Sequence, residues 1–220
     1  MTTADTWWLF DLDNTLHHAD AGIFQLINQR MTAYLAENLH LDFQAASNLR
    51  QDYWHRYGAT LAGLQQHHPQ INIMDFLRQS HPLEPILAAL KPMEMNREVL
   101  TQLRGNKAVF SNAPAFYVQA LCDAMQITPF FTALFGTDDF DLLYKPAPQA
   151  YLNVCALLKT EPKHCIMVDD NADNLHAANA LGMRTIWFGA HTHHLPFVDA
   201  AVHDMQALSA VIGCDAAIVN

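Results

Sequence analysis

The stretch WWLFDLDNTLHHAD, residues 7–20, sets a short apolar run directly against a polar one. Trp7, Trp8, Leu9 and Phe10 are continuous apolar residues of strand length, and the chain then passes at once to Asp11, Asp13, Asn14 and Thr15. Continuous rather than alternating apolar character is what a strand covered on both faces requires, as in a parallel sheet. Polar residues just behind such a strand stand where open α/β sheets hold their ligands, outside the carboxyl ends. Three uses of the segment are open on these residues alone. It is a His–Asp metal cluster that includes His17 and His18, a polar turn after a buried strand, or an aspartate that does covalent chemistry.

The same pattern recurs along the chain. Residues 108–110 lead to Ser111 and Asn112, and residues 134–135 lead through an acidic stretch to Lys145. Residues 165–168 lead to Asp169 and Asp170, and 185–188 form a further apolar run. Between the later runs lie helical stretches at 114–125, 147–158 and 172–181. Pro114 suits the first turn of one, and Gly182 is placed to end another. Residues 198–212 add one more short strand and a helix. Strands alternating with helices predict an α/β core with a parallel sheet.

Residues 22–90 break this rhythm. Ile23, Ile27, Met31, Tyr34, Leu35 and Leu39 approximate one apolar helix face, and a second helical stretch is predicted over 43–67, with shorter ones after it. No strand-like run interrupts them. The expected organisation is an α/β core from 1–17 and 92–220, with a helical cap over 18–91. Its expected hinges are 17–22 and 91–96.

Composition narrows the partners. The formal charge is −10, with 12 Lys and Arg among 220 residues, which argues against nucleic acid or an anionic membrane surface. Four cysteines without a C-x-x-C pair read as reduced, packed thiols. There is no basic-then-apolar leader and no apolar run near the ~18 residues of a membrane span, so a soluble, cytoplasmic protein is expected.

The strand ends collect Asp11, Asp13, Thr15, Ser111, Asn112, Lys145, Asp169 and Asp170. Singly, each has an ordinary explanation: Asp, Asn, Ser and Thr cap helices and form turns, and lysines are solvated. Four such groups at successive strand ends are harder to explain as caps. Together they suit phosphoryl transfer, because a carboxylate nucleophile meets charge repulsion from a phosphate monoester. A hard cation such as Mg²⁺ held by oxygen ligands offsets that repulsion, and Lys145 with the Thr15 and Ser111 hydroxyls can hold the transferring oxygens. Asp170, one oxygen of Asp11 and the Asp13 carbonyl are the candidate metal ligands.

These motifs resemble those of the haloacid dehalogenase-like phosphatases over about residues 8–189. FDLDNT is similar to the first motif, FSNA to the second, KPAPQAY to the third and VDDNADN to the fourth. The resemblance implies a Rossmann-like core with a helical cap inserted after the first motif. It implies Asp11 as nucleophile and Asp13 as general acid, then base. Thr15, Ser111, Asn112 and Lys145 would hold the phosphoryl group, and Asp170 would bind Mg²⁺ with Asp169 supporting it. Within the family, residues 22–24, 27–35, 57–68 and 76–83 resemble the cap of pyrimidine 5'-nucleotidase-like members. The implied substrate is a small phosphorylated metabolite, a nucleoside 5'-monophosphate, with a sugar phosphate or phosphoglycolate as alternatives. Two departures bear on the substrate: His81-Pro82 stands where that group carries His-Asp, and His17 where it carries an aromatic.

Other functions fit less well. Carbon–halogen hydrolysis on this fold needs neither a metal nor an acid two residues after the nucleophile. A phosphomutase shares the aspartyl-phosphate. A receiver-type signalling domain lacks a helical block after its first strand. The aromatic run at 52–57 reads as core packing rather than a base-stacking surface. His191, His193 and His194 read as a polar loop rather than a transition-metal site, His67-His68 as a helix end, and Asp138, Asp139 and Asp141 as a solvated loop.

Overall fold

The computed structural model describes residues 6–190 and 194–214, and it divides into two compact units. One is the segment Asp20–Ala89. The other is formed by the chain up to Ala19 and from Leu90 onward.

The second of these units holds the expected parallel sheet. Its strands are β1 (Trp7–Phe10), β2 (Asn106–Phe110), β3 (Ala133–Phe135), β4 (Cys165–Asp169), β5 (Arg184–Phe188) and β6 (Ala200–Val202). Their spatial order is β3-β2-β1-β4-β5-β6, and every pairing is parallel. β1 lies between β2 and β4, so the chain works outward from it in opposite directions. Ligand crevices of open α/β sheets lie at such a switch point. Phe10 is in register with both Val109 and Val168, which brings Asp11 level with Asp169 at the strand ends.

The apolar runs form strands because both faces are covered. Leu9, Phe10, Val109, Phe110 and Val168 are wholly buried. Each contributes about 1.5–3 kcal/mol from its removal from water. Around the sheet lie α6 (Asn96–Gln102), α7 (Ala115–Ala124), α8 (Pro148–Leu158), α9 (Ala172–Ala180) and α10 (Met205–Cys214). The α-helices that precede α6 in the chain belong to the other unit. Local chemistry sets several ends: α8 opens on Pro148, and α9 is capped by Asn171, whose side chain accepts the Asp173 N–H at 2.8 Å.

The helical unit contains α1 (Ile23–Asn38), α2 (Phe43–Tyr57), α3 (Thr60–His67), α4 (Ile73–Ser80) and α5 (Leu83–Ala89). Ile23, Ile27, Tyr34 and Leu35 of α1 are buried as the periodicity predicts. The single helical stretch predicted over 43–67 is two helices. Gly58 adopts a left-handed φ of 79° and ends α2, donating its N–H to Trp54 O at 2.9 Å. Tyr53 in the aromatic run is core, as expected, whereas Trp54 is 57% exposed.

Where the chain leaves and re-enters the α/β unit it is tied to itself. His18 N–H donates to Lys91 O at 2.8 Å, Met93 N–H to Leu16 O at 3.0 Å, and Asn96 Nδ2 to Leu16 O at 2.7 Å. The segments expected to be hinges therefore begin as a short ladder, which includes a His17–Pro92 bridge. No helix among the described residues is long and apolar enough to cross a membrane. Cys122, Cys155 and Cys165 are free and buried.

Candidate active site

Lys145 organises the strand ends. The residue is 1% exposed, and its ammonium donates to Asp11 Oδ1 and to Asp169 Oδ2, both at 2.7 Å. It also lies 5.1 Å from the centroid of the Phe110 ring. An ammonium this deep survives only when paired. Burial pulls its pKa down, but the carboxylates of Asp11 and Asp169 outweigh burial and hold it above the ordinary lysine value.

Asn112 explains how Lys145 is placed. Its carboxamide donates to Lys145 O and accepts from Lys145 N–H, each at 2.8 Å. The Asn112 side chain, expected on the phosphoryl group, is thus committed to the main chain of the lysine. Ser111 is buried at the end of β2, where its Oγ accepts the Ala113 N–H at 3.1 Å. Thr15 is wholly buried, and its Oγ1 has no hydrogen-bond partner. A buried hydroxyl left unpaired costs about 1–3 kcal/mol.

The carboxylates differ. Asp169 is wholly buried and accepts from Lys145, from Asn171 N–H at 2.9 Å, and from Asn174 Nδ2 at 3.1 Å to each oxygen. It anchors the lysine. Asp11 sits 7% exposed, and burial pushes its pKa well above the usual carboxylate range. Lys145 opposes that rise, while Asp169, Asp170 and Asp13 add to it. Burial and Asp169 likewise push Asp170 up to about 6, against Lys145 and a hydrogen bond from Asn14.

One oxygen from each of Asp11, Asp169 and Asp170 lies within 4.8 Å of the others. Burial raises the pKa values of Asp11 and Asp170, and the negative charge of the neighbouring carboxylates adds to that rise. A hard divalent cation offsets that charge, so the donor set fits an oxygen-ligated metal. Asp13 stands apart. Its Oδ1 accepts the Tyr117 hydroxyl at 2.6 Å and meets His17 Nε2 at 2.9 Å.

The sequence profile of one family, the haloacid dehalogenase-like hydrolases, matches residues 8–182. The chain belongs to that family. Among relatives of this haloacid dehalogenase-like hydrolase is the phosphoglycolate phosphatase of Pectobacterium atrosepticum. It is 26% identical over 188 residues, 80% of this chain and 77% of that protein. The phosphoglycolate phosphatase of Pseudomonas putida is 28% identical over 61% of this chain and 50% of that protein, so the match spans half of that relative's length. Of solved structures, the HAD phosphatase from Thermococcus onnurineus superposes with a TM-score of 0.69 at 17% identity, covering 94% of this chain and 98% of that one. The putative hydrolase YfnB from Bacillus subtilis, bound to magnesium, gives 0.63 at 14% identity, with 94% and 98% covered. At these identities the structural likeness carries the fold alone.

Residues outside the expected set complete the site. Asn174 falls inside the quoted fourth motif, so its spacing from Asp169 was a usable signal. Tyr117 lies 104 positions from Asp13, and no local pattern connects them. Asp138 and Asp139 are not simply solvated: Asp138 accepts the Ala115 N–H at 2.6 Å and Asp139 the Gly136 N–H at 2.9 Å, fixing the turn after β3. His67 ends α3 as expected, with Nε2 2.6 Å from the Tyr57 hydroxyl. His194 is exposed, whereas His191 and His193 lie outside the described residues.

Proposed function

We propose that this hydrolase is a phosphatase that cleaves a small phosphomonoester through an aspartyl-phosphate on Asp11, with Mg²⁺ as its cofactor. The observation that carries the reading is the buried Asp11–Lys145–Asp169 bridge beside Asp170 at the carboxyl ends of β1 and β4. With Oδ1 tied to Lys145, Oδ2 of Asp11 is the atom presented to phosphorus. Lys145, the unpaired Thr15 hydroxyl and the Ser111 hydroxyl hold the phosphoryl oxygens as charge moves onto them. Asn112 acts through Lys145, whose main chain it grips. Asp11, the Asp13 carbonyl and Asp170, with Asp169 supporting, would hold Mg²⁺, which would offset the repulsion between carboxylate and phosphate. Asp13 gives a proton to the departing oxygen and later takes one from the water that attacks the acyl phosphate.

The substrate reading is a nucleoside 5'-monophosphate, a pyrimidine nucleotide in particular. It rests on the likeness of residues 22–24, 27–35, 57–68 and 76–83 to the caps of such enzymes. Phosphoglycolate is a second reading, favoured by the names of the two bacterial relatives. Purified protein with Mg²⁺ is expected to release phosphate from an aryl phosphate, and EDTA or Asp11→Asn to abolish release. Full activity in Asp11→Asn would overturn the mechanism. A panel of nucleoside monophosphates, sugar phosphates and phosphoglycolate decides the substrate by kcat/KM.

A further inference from the structure

We infer that His17 and Tyr117 are positioning residues for Asp13, together fixing which carboxyl oxygen faces the leaving group. The inference rests on the phosphatase reading above and deepens it. His17 is wholly buried, and its two nitrogens are unequal: Nε2 lies 2.9 Å from Asp13 Oδ1, while Nδ1 is buried with no hydrogen-bond partner. A buried donor without a partner costs more than a bare acceptor, so the ring proton belongs on Nε2 and is donated to Asp13. The Tyr117 hydroxyl donates to the same oxygen at 2.6 Å.

Both donors converge on Oδ1, and a carboxyl oxygen that accepts two hydrogen bonds has no lone pair left over for a proton of its own. The proton of a neutral Asp13 carboxyl therefore resides on Oδ2. As the Asp11 Oδ2–phosphorus bond forms and the phosphorus–oxygen ester bond breaks, that proton passes to the leaving oxygen. The products are an alcohol and an Asp13 carboxylate whose Oδ1 is already held by two hydrogen bonds. The geometry is rigid. The His17 ring stands 6.5 Å from that of Tyr117, and its main chain is fixed by the bridges to Asp13 and Pro92. This also accounts for the imidazole where an aromatic residue was expected: a ring of similar size supplies a donor that Phe cannot.

The test is the dependence of kcat/KM on the leaving group, which reports steps up to phosphoryl transfer and so isolates the acid. A series of aryl phosphates from 2,4-dinitrophenyl to unsubstituted phenyl spans leaving groups that need a proton progressively more. For His17→Phe and, separately, Tyr117→Phe, the ratio of kcat/KM on the first to that on the last is expected to rise about tenfold or more over wild type, within the ~100-fold or larger contribution of a general acid. Asp13→Asn should show the same bias, more strongly. Tyr117→Phe removes a single hydroxyl and keeps the test available if His17→Phe fails to fold. Equal losses across the series in both variants would reduce the pair to scaffolding and overturn the inference. Failure of the parent reading looks different: it appears as undiminished activity in Asp11→Asn.

Discussion

At the scale of the residue, the site is governed by charge held out of water. Asp170 shows the sign of the effect. Its pKa in the folded protein is pushed up to about 6 by burial and by Asp169, against an ordinary value of 3.8. Folding therefore binds a proton between those values, and the stability of the metal-free protein falls as pH rises through that window. Asp170→Asn removes the penalty. Without metal, the variant should melt higher than wild type by on the order of a few degrees at pH 7, an advantage that disappears toward pH 4. Added MgCl2 should raise the melting temperature of wild type and leave the variant unmoved. Scanning calorimetry with and without Mg²⁺ checks both. A metal-free variant that melts below wild type at pH 7 would contradict this account.

At the scale of the element, the turns between strands and helices do the placing. β2 ends at Phe110, and Asn112 then folds back to hold the main chain of Lys145, 33 positions away in the chain. The fourth strand delivers Asp169 and then Asn171, which caps α9 and lets Asn174 reach back to Asp169. In the helical unit, the close approach of α2 to α3 depends on Gly63. A Cβ there would lie 2.1 Å from the Tyr53 ring carbon. Gly63→Ala should thus force Tyr53 from its place and cost about 1–3 kcal/mol by overpacking, outweighing the gain in helix propensity. Urea unfolding reads the change, and an unaltered midpoint would show that the two helices separate without cost.

At the scale of the whole molecule, two compact units share one chain, and the two crossings between them lie side by side. The ladder of Leu16 and His18 with Lys91 and Met93 stays within the α/β unit. A short Gly-Ser linker can therefore join Ala19 to Leu90 without stretching either. A protein in which such a linker replaces 20–89 is expected to fold cooperatively with strand and helix content preserved, and to gain thermal stability from Mg²⁺. Its circular dichroism and melting with and without MgCl2 test this. Loss of cooperative folding would mean that the helical segment is needed to complete the α/β core.

The α/β class, the parallel strands and the order of polar strand ends were legible in the sequence because they depend on local pattern. A strand buried on both faces must be continuously apolar, and the residues that follow it must end at the sheet's edge. The break of 43–67 at Gly58 was less legible, since a single glycine within a helical period is often tolerated. What the tertiary structure decided is the division of labour among groups of like chemistry. Asp11, Asp13, Asp169 and Asp170 are four carboxylates with no intrinsic difference, and their distinct environments come from partners far away in the chain. Lys145 reaches Asp11 and Asp169 across 134 and 24 positions, and Tyr117 reaches Asp13 across 104. Hydrogen bonding and desolvation act through space, so only the folded chain could set these four carboxylates in different surroundings.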